Sequence, residues 1–244
     1  MPKIAKILGS AAIQILYCLP IPGLTLKLAA VIRRQYPITD DNDCIFIQAF
    51  GRNTWSDAEL NKKIRILRQR AGYDNVRMME ELSILSFDPG DSNRSLASVA
   101  LGLCQKHKIP IIAQWEIGYA LYKENPQAYQ RLFTTGHIHV LWPRGKYYPT
   151  WEVKKDAIVI AHSIGSSRPI ELAHPDMIVR ATAIIWKLGL APSLCLAAIP
   201  YDSRSVQKWT RSWQNWWLRN ALSHPHHACK GWVSLIPPKT TSSE

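Results

Sequence analysis

The sequence predicts an α/β fold: a Rossmann-like, mostly parallel sheet of about five strands with helices on both faces, preceded by an N-terminal helical extension. Three observations carry this. Short apolar runs alternate with amphipathic stretches of helical length. The connections between them are short, as in βαβ units. Each apolar run leads straight into glycine or polar residues, the pattern of a strand-to-helix edge. The expected organisation is an extension over 1–40, one α/β domain over 41–236 and a disordered tail over 237–244, with no internal repeat and no linker.

Taken in order, Ile7–Leu26 carries no charge and follows Lys3 and Lys6. Pro20 and Pro22 interrupt it, and both flanks are positive (Lys3, Lys6; Lys27, Arg33, Arg34). The favoured reading is two short helices broken at Leu19–Gly23, packed on the domain or lying on a membrane surface. A membrane span or signal peptide is the other reading. The expected location is cytoplasmic, with peripheral contact to the inner membrane through this segment as an alternative. Cys44–Phe50 (CIFIQAF) is the first core strand. Gly51-Arg52-Asn53 follows, then a helix capped by Ser56 or Asp57, with Leu60, Ile64, Leu67 and Ala71 as its apolar stripe. Lys62, Lys63, Arg65, Arg68 and Arg70 crowd the rest of that helix.

Leu82–Phe87 reads as a short strand and Asp88-Pro89-Gly90-Asp91 as a turn. A helix is expected over Asn93–Lys106, a strand over Ile109–Trp115 and a helix from Glu116, ended by Asn125-Pro126. His137–Trp142 is a further strand, and Thr150–Lys155 one or two helical turns. Ala157–Ala161 has the continuous apolar character of a buried central strand, with Gly165-Ser166-Ser167-Arg168 as the loop beyond it and an amphipathic helix from His174-Pro175-Asp176. Leu194–Ile199 is the next strand, Ser205–Leu222 a helix, and Trp232–Ile236 a last strand.

The chain of 244 residues carries a net charge of +12. That balance suits an anionic partner: a small anionic ligand, nucleic acid or an acidic membrane surface. Cys18, Cys44, Cys104, Cys195 and Cys229 are scattered without a CxxC pair, which favours a reducing compartment over a disulfide framework. There is no GxxxxGK[ST] phosphate loop, no GxGxxG after the first strand and no GxSxG elbow. An ordinary NTPase, dinucleotide enzyme or α/β-hydrolase is thereby disfavoured.

What remains is a set of polar residues at expected strand ends. Arg52 and Asn53 follow the first strand, Gln114 and Glu116 the second, and Asp202 the last. His162, Ser163, Ser166 and Arg168 follow the expected central strand, with Asp176 and Arg180 on the next helix. A parallel sheet sets carboxyl-end residues along one rim, where they converge on a ligand. Arg52, Arg168 and Arg180 would hold its charge through their forked guanidinium donors. Glu116 and His174 are the candidate acid/base pair if the protein is an enzyme. Two other readings stand beside this. Trp209, Trp213 and Trp216 share one face of the expected helix, with Lys208, Arg211 and Arg219 among them; with Lys62–Arg70 they suit nucleic acid or anionic membrane. His224, His226, His227 and Cys229 suggest a metal-dependent hydrolase.

The chain also resembles the YdcF/SanA/ElyC family over roughly Asp43 to Trp232. The resemblance rests on a first strand ending at Gly51, a helix starting at Glu116, Thr150-Trp151-Glu152 ahead of a strand, Arg180-Ala181 on a helix after His174, and a late segment with Trp213, Trp217 and Arg219. In that family the late histidine stands three residues before the arginine; here Met177 does. The resemblance implies a Rossmann-like fold, a link to the cell envelope, and S-adenosylmethionine or a nucleotide as ligand.

Overall fold

A computed structural model describes residues 24–143, 148–219, 229–234 and 237–238. Within them, five parallel strands form one sheet in the order β3-β2-β1-β4-β5: β1 Cys44–Ile47, β2 Ile111–Gln114, β3 Ile138–Leu141, β4 Pro169–Leu172 and β5 Ser193–Cys195. The chain builds outward from β1 through β2 to β3, then returns to the other side of β1 for β4 and β5. The order reverses between β1 and β4, and a crevice opens there beyond the carboxyl ends of the strands.

The helices are α1 Leu24–Gln35, α2 Asp57–Ala71, α3 Asn75–Ile84, α4 Asp91–His107, α5 Trp115–Glu124, α6 Pro126–Thr134, α7 Thr150–Ser163 and α8 Pro175–Lys187. Alternate residues of the strands face opposite layers, as the pleat requires. Ile45, Ile47, Ile111, Ala113, Ile170 and Leu172 join the larger core, to which Leu96 and Ala100 of α4 belong. Phe46 and Ile112 face the other way, onto Val153, Ala157 and Ile158 of α7. α1 packs against α8 and β5.

Between β1 and α4 the chain inserts a helical pair, α2 and α3, packed on each other. Ser56 begins α2 with a full capping box: its hydroxyl accepts from the Glu59 backbone N–H, and Glu59 Oε2 accepts from the Ser56 N–H at 2.9 Å. Leu60, Ile64, Leu67 and Ala71 are the buried face of α2. An aromatic layer of Trp55, Phe87, Trp115 and Trp142 underlies the insertion, with successive ring centroids 4.7–5.8 Å apart.

Four expectations are corrected. Ala157–Ala161 is not a strand but the middle of α7. Val153, Ala157, Ile158 and Ala161 are buried at helical spacing, and the intervening Val159 is 61% exposed. The central partner of β1 is instead β4, whose run is broken by a fully buried glutamate, Glu171. Leu82–Phe87 is not a strand: it spans the end of α3 and the turn that follows. The stretch from Ser205 is not one helix, because a 3-10 turn at Lys208–Thr210 precedes a separate helix over 213–219. The expected strand at Trp232–Ile236 has no regular structure over 232–234, and 235–236 lie outside the described residues. Most of Ile7–Leu26 also lies outside them. Among the described residues no helix is long and apolar enough to cross a membrane.

Candidate ligand-binding site

The crevice beside β1 holds a polar cavity of about 110 Å³. Its floor is the end of β1 and the residues after it, Gln48–Arg52, with Gln114 at the end of β2. Trp115 and Glu116 open α5, Pro149 and Thr150 open α7, and Met177 and Arg180 lie in the first turns of α8. Three helix N-termini therefore face one small space, as βα connections in a parallel sheet dictate. Two of them lack a side-chain cap. Pro149, before α7, has no capping group, and Gln114, before α5, turns its Oε1 to the Ala49 backbone N–H at 3.2 Å. The first N–H groups of a helix and its dipole together favour a negative charge at such a place.

The side chains continue the theme. Arg180 is 7% exposed, and its guanidinium lies 5.0 Å over the Trp216 ring. Arg219 sits at the mouth, 5.2 Å over Trp209. Gln48 donates to Thr150 Oγ1 at 2.9 Å, and its Oε1 is buried without a partner. Arg52 is held from several sides: Nε donates to Trp55 O at 2.7 Å, Nη2 bonds Asp57, and Nη1 lies 3.7 Å from Glu116 Oε1. Gln207 steadies Asp57 at 3.1 Å.

Glu116 is the one carboxylate lining the cavity among the described residues. It is 2% exposed, and its Oε2 has no hydrogen-bond partner. Burial pushes its carboxyl up to about 7, against the pull of Arg52, its own backbone N–H and the Gln114 side chain. It therefore exchanges a proton near neutrality, as a general acid or base must.

The segment after β5 closes the site. Ser205 Oγ accepts from the Arg52 backbone N–H and donates to the Arg52 carbonyl, and Val206 N–H donates to the same carbonyl at 2.8 Å. Gly51 makes this approach feasible. Its φ is +76°, and a Cβ there would lie 2.5 Å from Thr210 Oγ1 and 2.8 Å from Ser205 Oγ. Asn93 of α4, wholly buried, pins the same turn: it accepts from Phe50 N–H at 2.8 Å and donates to the Gly51 and Pro89 carbonyls at 2.6 Å.

Of the residues that the sequence sets at strand ends and on the helix after His174, Arg52, Gln114, Glu116 and Arg180 come together here, with Trp209, Trp216 and Arg219 of the late segment beside them. The remaining strand-end and helix residues do not. His174 caps α8, stacks on Phe50 at 3.8 Å, meets the tilted Tyr201 ring at 4.5 Å, and is 2% exposed. Desolvation pushes its imidazole down to about 3, partly offset by the Ile199 backbone, so it is neutral and outside the cavity lining. It makes no acid/base pair with Glu116. Asp176 accepts a hydrogen bond from Tyr201 and, through its carbonyl, one from Trp216 at 3.2 Å. Asn53 bonds Asp88, and Asp202 accepts from the Asp91 and Arg204 backbone N–H groups at 2.7 and 3.0 Å; these clamp the turn before α4.

His162, Ser163, Ser166 and Arg168 are displaced furthest. Because 157–161 is helix, His162 and Ser163 are the last two residues of α7, and Ser166 and Arg168 lie between α7 and β4, at the amino edge of the sheet. Ser167 and Arg168 donate their N–H groups there to the carboxylate of Asp43, just before β1, at 2.7 and 2.9 Å. A four-residue strand separates the two edges by about 13 Å, so Arg168 is not part of the cation set.

The expected tryptophan stripe is also divided: Trp216 is buried, Trp209 lines the cavity and Trp213 is half-exposed. Among the described residues no group of three or more His, Cys, Asp or Glu is placed to hold a metal. His224, His226 and His227 lie outside them.

Sequence reasoning passed over Gln48, Asp57, Asn93 and Gln207 as site residues. Gln48 carried a signal: it is the one strongly polar residue in CIFIQAF. Asn93 and Gln207 carried none, because their importance comes from contacts 42 and 150 residues distant. No protein-family model, curated protein or solved structure matches the chain.

Proposed function

We propose that this chain is a divergent YdcF/SanA/ElyC-like protein that binds a small anionic ligand in the cavity between β1 and β4. The observation that carries the reading is the convergence of the uncapped N-termini of α5 and α7 with Arg180 on one polar cavity. Glu116, Thr150 and Arg180, which carried the resemblance, all line it. The volume of about 110 Å³ is well below the roughly 300 Å³ at which pockets for drug-sized ligands begin. It suits a phosphate or carboxylate head group. A nucleotide or S-adenosylmethionine would place that group inside and extend past Trp209 and Arg219 at the mouth.

Glu116 supplies a proton donor or acceptor beside the bound group, and Arg52 with Asp57 sets its position. A thermal-shift panel of inorganic phosphate, phosphosugars, nucleotides and S-adenosylmethionine tests the reading. At least one phosphate-bearing compound should raise the melting temperature, and Arg180→Gln should remove the rise. No shift from any compound, or one that persists in Arg180→Gln, would overturn it.

A further inference from the structure

Away from the cavity, a concentrated positive surface lies on the outer face of α2. Ala58, Lys62, Arg65 and Gln69 follow one another at helical spacing along an open groove of about 680 Å³, and Tyr73, just past the Gly72 cap, lines its end. Lys62 and Arg65 are exposed and make no ion pair among the described residues. Arg68 lines the same groove. Its Nη2 donates to Pro143 O at 2.5 Å, its Nε is buried without a partner, and its guanidinium lies 5.7 Å over the Tyr73 ring. Tyr73 is 83% exposed.

The nearby acids are engaged elsewhere. Asp57 holds Arg52 and Glu59 closes the capping box, both at the far end of the helix. Asp74 caps α3 through Arg77 N–H at 2.9 Å, and Glu81 pairs with Arg70 at 3.2 Å. The groove is thus a run of cations ending in an exposed aromatic ring.

We infer that this groove binds single-stranded nucleic acid, with Lys62, Arg65 and Arg68 on the phosphates and Tyr73 as a platform on which an unpaired base stacks. Cations that track a backbone beside an aromatic face are the means by which unpaired strands are held without sequence preference. An anionic bilayer fits less well. The apolar side of α2 is turned into the core, and no large apolar side chain on the helix is exposed to enter a membrane. The inference is independent of the cavity, which Leu60 of the same helix faces from the inner side.

Fluorescence anisotropy of a labelled oligothymidylate, repeated over a salt series, tests it on the full chain. Binding should weaken with salt. Lys62→Gln/Arg65→Gln should weaken it at least about tenfold and lower the slope of log affinity against log salt by about 1.4, at about 0.7 per phosphate contact. Tyr73→Ala should cost at least about fivefold. These side chains are exposed, so the melting temperatures should match the parent. Arg180→Gln, in the cavity, should bind like the parent. Three outcomes would overturn the inference: no binding, binding that survives in Lys62→Gln/Arg65→Gln, or an Arg180→Gln loss as large as that of the double variant. Sedimentation with phosphatidylserine vesicles that depends on Lys62 and Arg65, without oligonucleotide binding, would also overturn it in favour of a membrane surface.

Discussion

Replacing Glu116 by glutamine separates the proton chemistry of the cavity from its shape. The buried carboxyl is pushed from its ordinary 4.5 up to about 7, first by burial, with Arg52 opposing. The unfolded chain releases this proton near 4.5 and the folded chain holds it until about 7. Stability from this group is therefore fully present below 4.5 and is lost as pH rises to 7, at about 1.4 kcal/mol per pH unit. The whole loss is about 3 kcal/mol. Glutamine keeps the shape and cannot ionise, so the variant escapes it.

The parent curve alone would hide the effect, because His174 works in the opposite sense. Its imidazole is pushed down to about 3 in the fold. The unfolded chain then binds the extra proton between 3 and the ordinary 6.5, and stability falls as pH drops through that window. The two slopes oppose each other between 4.5 and 6.5. Urea unfolding of parent and Glu116→Gln, followed by tryptophan fluorescence at each pH, gives a difference in which His174 cancels. The variant's stability relative to the parent should climb by about 3 kcal/mol from pH 4.5 to 7.5 and then level off. A flat difference, or one that falls with pH, would refute the assignment of a buried, proton-exchanging carboxyl.

Three further outcomes follow from the packing. Gly51→Ala should cost about 2 kcal/mol or more, since a left-handed backbone and a Cβ 2.5 Å from Thr210 Oγ1 cannot both be kept; chemical denaturation measures it. Asn93→Ala strips partners from three buried backbone groups and should cost about 3 kcal/mol or more, read as a lower denaturation midpoint at an unchanged slope. Lys154 and Glu171 lie wholly buried against each other at 2.6 Å beneath β4. Lys154→Met alone should cost about 3–5 kcal/mol, and adding Glu171→Leu should recover most of it; unfolding of the single and double variants compares them.

The alternation of elements was legible because β1 is fully apolar and β2, β3 and β5 carry no acidic or strongly basic residue, and local patterning reports that directly. The return strand was not. β4 opens on Pro169 and carries Glu171, whose charge is satisfied by Lys154, 17 residues earlier in α7. The apolar run Ala157–Ala161 that took its place is the buried side of that helix. One misplaced strand moved His162, Ser163, Ser166 and Arg168 from the amino edge of the sheet to the carboxyl rim. Arg52, Gln114, Glu116 and Arg180 escaped this error because each follows a correctly placed strand or sits on a helix that is present. Asp202 and Asn53 show the remaining ambiguity: residues that cap and clamp a turn have the same composition as residues that bind a ligand.

The proposed anion site is built from the uncapped starts of α5 and α7 together with Arg180. A crystal structure of the protein grown with inorganic phosphate tests it most directly. A tetrahedral anion is expected between the N-termini at Trp115 and Thr150, within hydrogen-bond reach of Arg180. A cavity holding only water at saturating phosphate, with the anion found on other surfaces, would contradict it.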